Sequence, residues 1–235
     1  MTKSVLVIGG SGGIGSALAQ HYAAAASVVT VISRQKAPTQ NSWHWFEDTL
    51  QSPAHSAQCV QLALKQRPEV IFICNGVLHD AAAMPEKTIR QLDTAILMQR
   101  LHANVAVPAQ YLQLLFSYIT KTASIKVVVL SAKVGSITDN ALGGWYSYRM
   151  SKAALNMLVK NISIEVRRLN PGAVVVSVHP GTTNTAMSEP FQTNLPPGQL
   201  QSADNTAERL AQVVAAVQPE QSGKLLNWDA KALPF

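Results

Sequence analysis

Apolar positions along this chain come in continuous blocks, not in single alternation. Short runs rich in Val, Ile and Leu occupy residues 4–8, 28–32, 70–74, 125–130 and 173–178. Such runs, bounded by turn residues, predict strands buried on both faces of a parallel sheet. Helical periodicity fills the intervals: residues 16–26, 52–66, 88–118 as two helices with a break, a long segment ending near Arg168, and 203–217. Ser52-Pro53 supplies an N-cap and a first-turn proline. An aromatic run at 43–46 and a last apolar run at 224–227 bring the count to about seven strands. Pro38 sits in the short link before the aromatic run, so no full helix is expected there. Strand and helix in alternation predict an α/β fold, a doubly wound parallel sheet flanked by helices in a single domain over residues 1–235. The irregular stretch at about 182–204 holds Met187, Phe191, Leu195, Pro196 and Pro197. A loop this long in a compact domain predicts a substrate loop, and its apolar residues predict an apolar ligand.

Composition narrows the function. At 235 residues with 47% apolar content, the chain supports one large core. No apolar run reaches the length of a membrane span, and the opening MTKSVLVIGG is broken by glycine too soon for a secretory leader, so a cytoplasmic protein is expected. Cys59 and Cys74 lie in apolar segments without metal spacing and read as buried free thiols. The net charge of +6 is dispersed, with no Lys/Arg block or aromatic platform. That argues against a nucleic-acid partner and suits a small phosphate-rich ligand.

The first strand runs straight into GGSGGIG and then a helix. In that context glycines mean a dinucleotide turn, framed as Gly10-x-Gly12-x-x-Gly15 or as Gly9-x-x-x-Gly13-x-Gly15, with Ser11 and Ile14 in the turn. The fold expected is therefore Rossmann-like, with backbone N–H groups at a helix N-terminus facing a pyrophosphate. The second strand ends in Ser33-Arg34, with no acid to meet a ribose 2′-OH. An Arg there accommodates a 2′-phosphate, which favours NADP(H) over NAD(H). Asp48, ending the aromatic run, is either a contact to the adenine edge or a helix-start acid. Asn75-Gly76 brings backbone close to the crevice at the strand ends. The adjacent His79-Asp80 reads as a solvated loop, not a catalytic pair.

The chemistry concentrates between residues 130 and 156, LSAKVGSITDNALGGWYSYRMSKAALN. On a helix, Tyr148 and Lys152 share a face at i, i+4 spacing, and a neighbouring cation favours the phenolate. A Tyr tuned in this way can exchange a proton with a carbonyl or alcohol oxygen during hydride transfer. Tyr146 lacks that partner, because Met150 stands four residues on. Ser131 ends the preceding strand. Asn104 lies in an apolar helix four residues before Pro108, which withholds the N–H its carbonyl would receive; a structural cap and a water-holding site are both open there.

With Gly9-x-x-x-Gly13-x-Gly15 near its start and Tyr148-x-x-x-Lys152 past its middle, the sequence resembles the short-chain dehydrogenase/reductase family over essentially its whole length. DNALGGWYSYRMSKAALN and SGKLLNWDAKALPF look most like the subgroup named for bacterial C-factor and the insect carbonyl reductase sniffer. The resemblance implies an NADP(H)-dependent oxidoreductase acting between carbonyl and alcohol on a small molecule. Tyr148 is then the general acid/base, Lys152 lowers its pKa and holds the nicotinamide ribose, and Asn104 anchors a proton-relay water. Pro180, Gly181, Thr182 and Thr185 fall on the nicotinamide side. A homodimer or homotetramer is implied, and no metal. Three departures stand out: Ile8 in place of a Thr before the glycines, Ile73-Cys74-Asn75-Gly76 in place of Asn-Asn-Ala-Gly, and Ser131-Ala132 in place of Ser-Ser. In the last, the second position is the usual catalytic serine, so its role passes to Ser131 or Ser136. The rival expectation is a nucleotide-binding signalling or sensor protein with little turnover.

Overall fold

The structure, a computed structural model, describes residues 4–39, 42–81 and 83–235. Its strands are β1 (Ser4–Ile8), β2 (Val28–Ser33), β3 (His44–Glu47), β4 (Val70–Ile73), β5 (Lys126–Leu130), β6 (Val174–His179), β7 (Thr182–Thr183), β8 (Leu200–Gln201), β9 (Leu225–Asn227) and β10 (Ala232–Leu233). Its α-helices are α1 (Gly13–Ala24), α2 (Pro53–Leu64), α3 (Thr94–Leu101), α4 (Val107–Lys121), α5 (Tyr146–Leu169) and α6 (Ala203–Ala216).

Eight strands form one sheet in the order β10-β9-β6-β5-β4-β1-β2-β3. All pair in parallel except β10, which returns antiparallel on β9. It is the one strand of this sheet that the apolar pattern does not announce, because two residues carry no periodicity. β1 pairs with both β2 and β4, so the chain winds outward in both directions and opens a crevice at the strand C-termini there. The stretch expected to be wholly irregular is partly ordered: β7 and β8 pair in parallel and close its base.

Strand pleating sorts the core onto two faces. Val5 and Val7 pack with Leu18, Tyr22 and Leu210 beneath α1 and α6. Leu6 and Ile8 pack with Tyr111, Leu115, Leu155 and Val159 beneath α4 and α5. α2 begins as expected, with Ser52 Oγ accepting from His55 N. The described residues between β2 and β3 form no helix.

Two irregularities position the site. Between α3 and α4, residues His102–Ala106 form a π turn, where the Val107 N–H donates to His102 O, five residues back. Pro108 has no N–H to offer the Asn104 carbonyl, so the helix widens at that point. The second is the start of α5. Gly143, Gly144 and Trp145 are all left-handed (φ +64°, +65° and +52°), and no side chain of α5 caps its own N-terminus. Among the described residues no helix is long and apolar enough to cross a membrane.

Candidate active site

The ends of β1, β2, β4, β5 and β6 open on a cavity of about 870 Å³. Gly9, Ser11, Gly12, Gly13, Ile14 and Gly15 line one end. Gly9 is left-handed (φ +82°), and a Cβ on Gly15 would sit 2.4 Å from Gly9 O, so a side chain there would break the turn. α1 has neither a side-chain cap nor an acid in its first turn. Its N-terminal N–H groups are left for an anion from the cavity. Ser33 and Arg34 line the same end.

Asp48 does not. It is fully buried, and its carboxylate accepts from Leu50 N (2.9 Å), Ser56 Oγ (3.0 Å) and Tyr111 OH (2.9 Å). It clamps β3 to α2 and α4, at a position where the sequence leaves an adenine contact and a helix-start acid both open. Leu50 and Tyr111 reach the cavity wall instead. Neither carries a sequence signal, since both look like ordinary core residues.

At the other end the wall includes Asn75, Gly76, Pro180, Gly181, Thr182 and Thr185. A Cβ on Gly13 would lie 2.6 Å from Thr185 Cγ2, so the substrate loop reaches across to the glycine turn. Cys74, free as expected, belongs to this wall too. Loss of solvation pushes its thiol up to about 12, with Lys152 acting the other way.

Tyr148 and Lys152 share the first turns of α5 and both line the cavity. They are 8% and 3% exposed, and Lys152 Nζ stands 5.8 Å from the Tyr148 ring centroid. Lys152 Nζ donates to Leu130 O at 3.0 Å. Burial lowers the ammonium from 10.5 to about 8. Burial also raises the Tyr148 phenol. Desolvation thus weakens the cation and disfavours the phenolate together, which opposes the lowering of Tyr148 expected from Lys152.

The serines answer the question that Ala132 raises. Ser131 lines the cavity, but its hydroxyl donates to Asn156 Oδ1 at 2.7 Å. Ser136 is 2% exposed, and its Oγ accepts from Asp139 N at 3.1 Å. Ala132 instead packs in a small cluster with Leu78 and Tyr148. A methyl group thus stands at the second position, and the Ser131 hydroxyl on the cavity wall is held by Asn156.

Asn104 is fully buried behind the wall. Its Oδ1 accepts from Val77 N (2.7 Å), while its Nδ2 donates to Val77 O (2.9 Å) and Ser151 Oγ (2.9 Å). Ser151 Oγ donates in turn to Tyr148 O (2.7 Å). The side chain is thus a clamp between the loop after β4 and α5.

Glu86 has no motif and was not anticipated. It is 5% exposed, and its carboxylate accepts from Ser147 N (3.2 Å) and from Ser147 Oγ, while its backbone O accepts from Trp145 N (2.5 Å). It supplies the cap that α5 lacks, one residue before Tyr148. His79 and Asp80 meet different partners: Asp80 binds Arg100 (2.6 Å), and His79 Nε2 faces Met187 O (3.0 Å). Among the described residues no cluster of His, Cys, Asp or Glu could hold a metal.

The profile of the short chain dehydrogenase family matches residues 3–196. The chain belongs to that family. C-signal of Myxococcus xanthus is 31% identical over 144 residues, 61% of this chain and 81% of that protein. An uncharacterized oxidoreductase of Schizosaccharomyces pombe is 25% identical over 256 residues, covering 99% of this chain and 98% of the other. Two solved structures share the backbone. The carbonyl reductase Sniffer of D. melanogaster has a TM-score of 0.85 at 20% identity, with both chains fully covered. The NADPH-bound carbonyl reductase from chicken fatty liver has 0.83 at 22% identity, covering 100% of this chain and 94% of that one. The short-chain dehydrogenase fold thus spans this chain from end to end.

Proposed function

We propose that this protein is an NADP(H)-dependent oxidoreductase that interconverts a carbonyl and an alcohol, with Tyr148 as general acid/base. One observation carries the reading: the Tyr148–Lys152 pair and the glycine turn line the same cavity. The open α1 N-terminus fits a pyrophosphate, and Arg34 fits a 2′-phosphate, which selects NADP(H) over NAD(H). Asn75, Gly76, Pro180, Gly181, Thr182 and Thr185 would hold the nicotinamide end. The bound cofactor supplies or accepts the hydride. Tyr148 gives its proton to the carbonyl oxygen, or takes it back in the reverse direction, and Lys152 holds the ribose and stabilises the phenolate. Asn104 acts as a positioning residue for both strand ends. We read residues 1–235 as one nucleotide-binding domain with a substrate loop at 182–204, working in the cytoplasm on a small molecule, without nucleic acid or membrane. Met150, Met157 and Ile164 recur every seven residues on the exposed side of α5 and favour a homodimer or homotetramer through that face.

A second reading, a nucleotide-binding sensor with little turnover, is favoured by Ala132 and by the commitment of Ser131 to Asn156. NADPH binding and NADPH oxidation against aldehydes, ketones and quinones separate the two. Turnover is expected in the wild type, and Tyr148→Phe is expected to reduce it at least a hundredfold with NADPH binding retained. Tight binding without turnover on any substrate supports the sensor, and turnover indifferent to Tyr148→Phe rules out the mechanism.

A further inference from the structure

His79 and Asp80 stand outside the cavity wall, yet they tie two distant parts of the molecule together. Asp80 faces α3. Its carboxylate meets the Arg100 guanidinium at 2.6 Å, and that guanidinium, on a residue 3% exposed, also donates to Ala83 O at 3.3 Å. Asp80 and Ala83 close the turn between them, with Ala83 N donating to Asp80 Oδ1 (3.1 Å) and Asp80 N to Ala83 O (3.3 Å). A buried guanidinium holds its carboxylate firmly, because little water competes for either charge. The turn is therefore a fixed post on α3.

His79 faces the other way, toward the substrate loop. Its Nε2 donates to Met187 O at 3.0 Å, since a carbonyl can only accept. Its ring stands edge-on to Phe191, with centroids 5.7 Å apart at 70°. Phe191 also meets Trp145 at 4.9 Å. The segment gripped in this way is bonded within itself. Ser188 Oγ lies 2.5 Å from Thr183 O and 3.1 Å from Thr185 O, and Gln192 Nε2 donates to Ser188 Oγ (2.8 Å) and Asn184 Oδ1 (3.1 Å). Such a segment moves as one body, and contacts at its rim decide how often it opens. Thr185 of the same body lies against the glycine turn, where a Cβ on Gly13 would come within 2.6 Å of Thr185 Cγ2. A nucleotide seated on that turn enters and leaves past it.

We infer that His79 is a positioning residue that latches residues 183–192 over the glycine turn and sets how fast the nucleotide exchanges, with Asp80 and Arg100 as the post for the latch. This rests on the nucleotide-binding reading above. One net hydrogen bond and one edge-on ring contact together correspond to about ten- to a hundredfold in an opening equilibrium. The contacts of the latch are between protein groups, so it resists entry and exit alike. Its loss raises kon and koff together and leaves Kd nearly unchanged.

Stopped-flow fluorescence measures both rates, with NADPH binding followed directly and its release followed by displacement with excess NADP⁺. His79→Ala is expected to raise koff roughly tenfold or more and kon by a similar factor, with Kd kept within about threefold. His79→Phe keeps a ring against Phe191 and loses only the N–H, so a rise of about threefold in both rates is expected, and it carries the same comparison should His79→Ala fold poorly. Hydrogen exchange read by mass spectrometry should accelerate roughly tenfold across residues 183–192 in the variant while β1 and β5 stay unchanged; a merely less stable fold would exchange faster in all three. Unchanged rates in both His79 variants overturn the inference. A koff that rises alone and weakens Kd in proportion also overturns it, because that pattern marks a residue that holds the nucleotide or the fold. Absence of NADPH binding by the wild type overturns the nucleotide-binding reading itself, and this inference with it.

Discussion

Lys152 is a cation held at 3% exposure. Its ammonium falls from 10.5 to about 8 through burial, so between those values the unfolded chain binds more protons than the folded one. Stability contributed by this group therefore rises with pH through that window and is missing below it, a cost on the order of 3 kcal/mol at neutral pH. Lys152→Met is expected to stabilise the nucleotide-free protein at pH 7, with the gain shrinking as pH rises from 8 toward 10, as read by urea unfolding. The same substitution should abolish turnover, because the ammonium serves chemistry at the expense of stability. Glu86 has the opposite character. Removing its carboxylate leaves the α5 N-terminus uncapped and Ser147 without partners, so Glu86→Ala is expected to cost about 2–4 kcal/mol. It should also lower kcat at least tenfold with NADPH affinity nearly intact, while Glu86→Gln, which keeps one acceptor oxygen, retains most of both. Steady-state kinetics beside urea unfolding would distinguish this pattern from a general loss of fold.

Among the elements, the π turn at His102–Ala106 does most to arrange the site, since it aims Asn104 at two segments at once. Asn104→Ala would strand the Val77 N–H and C=O, an expected loss of about 2–4 kcal/mol. NADPH affinity should fall with it, because Val77 follows the Asn75-Gly76 turn. Asn104→Asp should not rescue either property, since a carboxylate facing Val77 O repels it. Paired denaturation and NADPH titrations would check both. Helix α1 does the complementary job by leaving its N-terminus uncapped.

For the molecule as a whole, the cavity joins the two halves of the sheet, so a dinucleotide across it should stabilise the entire fold. At one hundred times its Kd, NADPH is expected to add about 2.7 kcal/mol. NADH at the same concentration should add less, and Arg34→Ala should erase the difference. Thermal unfolding with each nucleotide measures this directly, and equal stabilisation of the wild type by both would refute the assignment of Arg34 to a 2′-phosphate.

What the sequence by itself determined is local. Continuous apolar runs specify buried parallel strands because both faces must be covered, and β1, β2, β4, β5 and β6 all lie where those runs are. A glycine turn between strand and helix, and a Tyr–Lys pair one helical turn apart, are likewise legible because each depends on neighbours within a few residues. The tertiary structure decided everything that joins distant positions. Asp48 turns inward because Tyr111, 63 residues away, comes to meet it. Asn104 becomes a clamp because Val77 and Ser151 arrive from 27 and 47 residues away. Glu86 caps α5 across 61 residues. Ser131 is drawn to Asn156 across 25 residues, leaving Ala132 beside Tyr148. A buried polar group must find a partner, and which one it finds is settled only when the sheet closes and the helices pack around it.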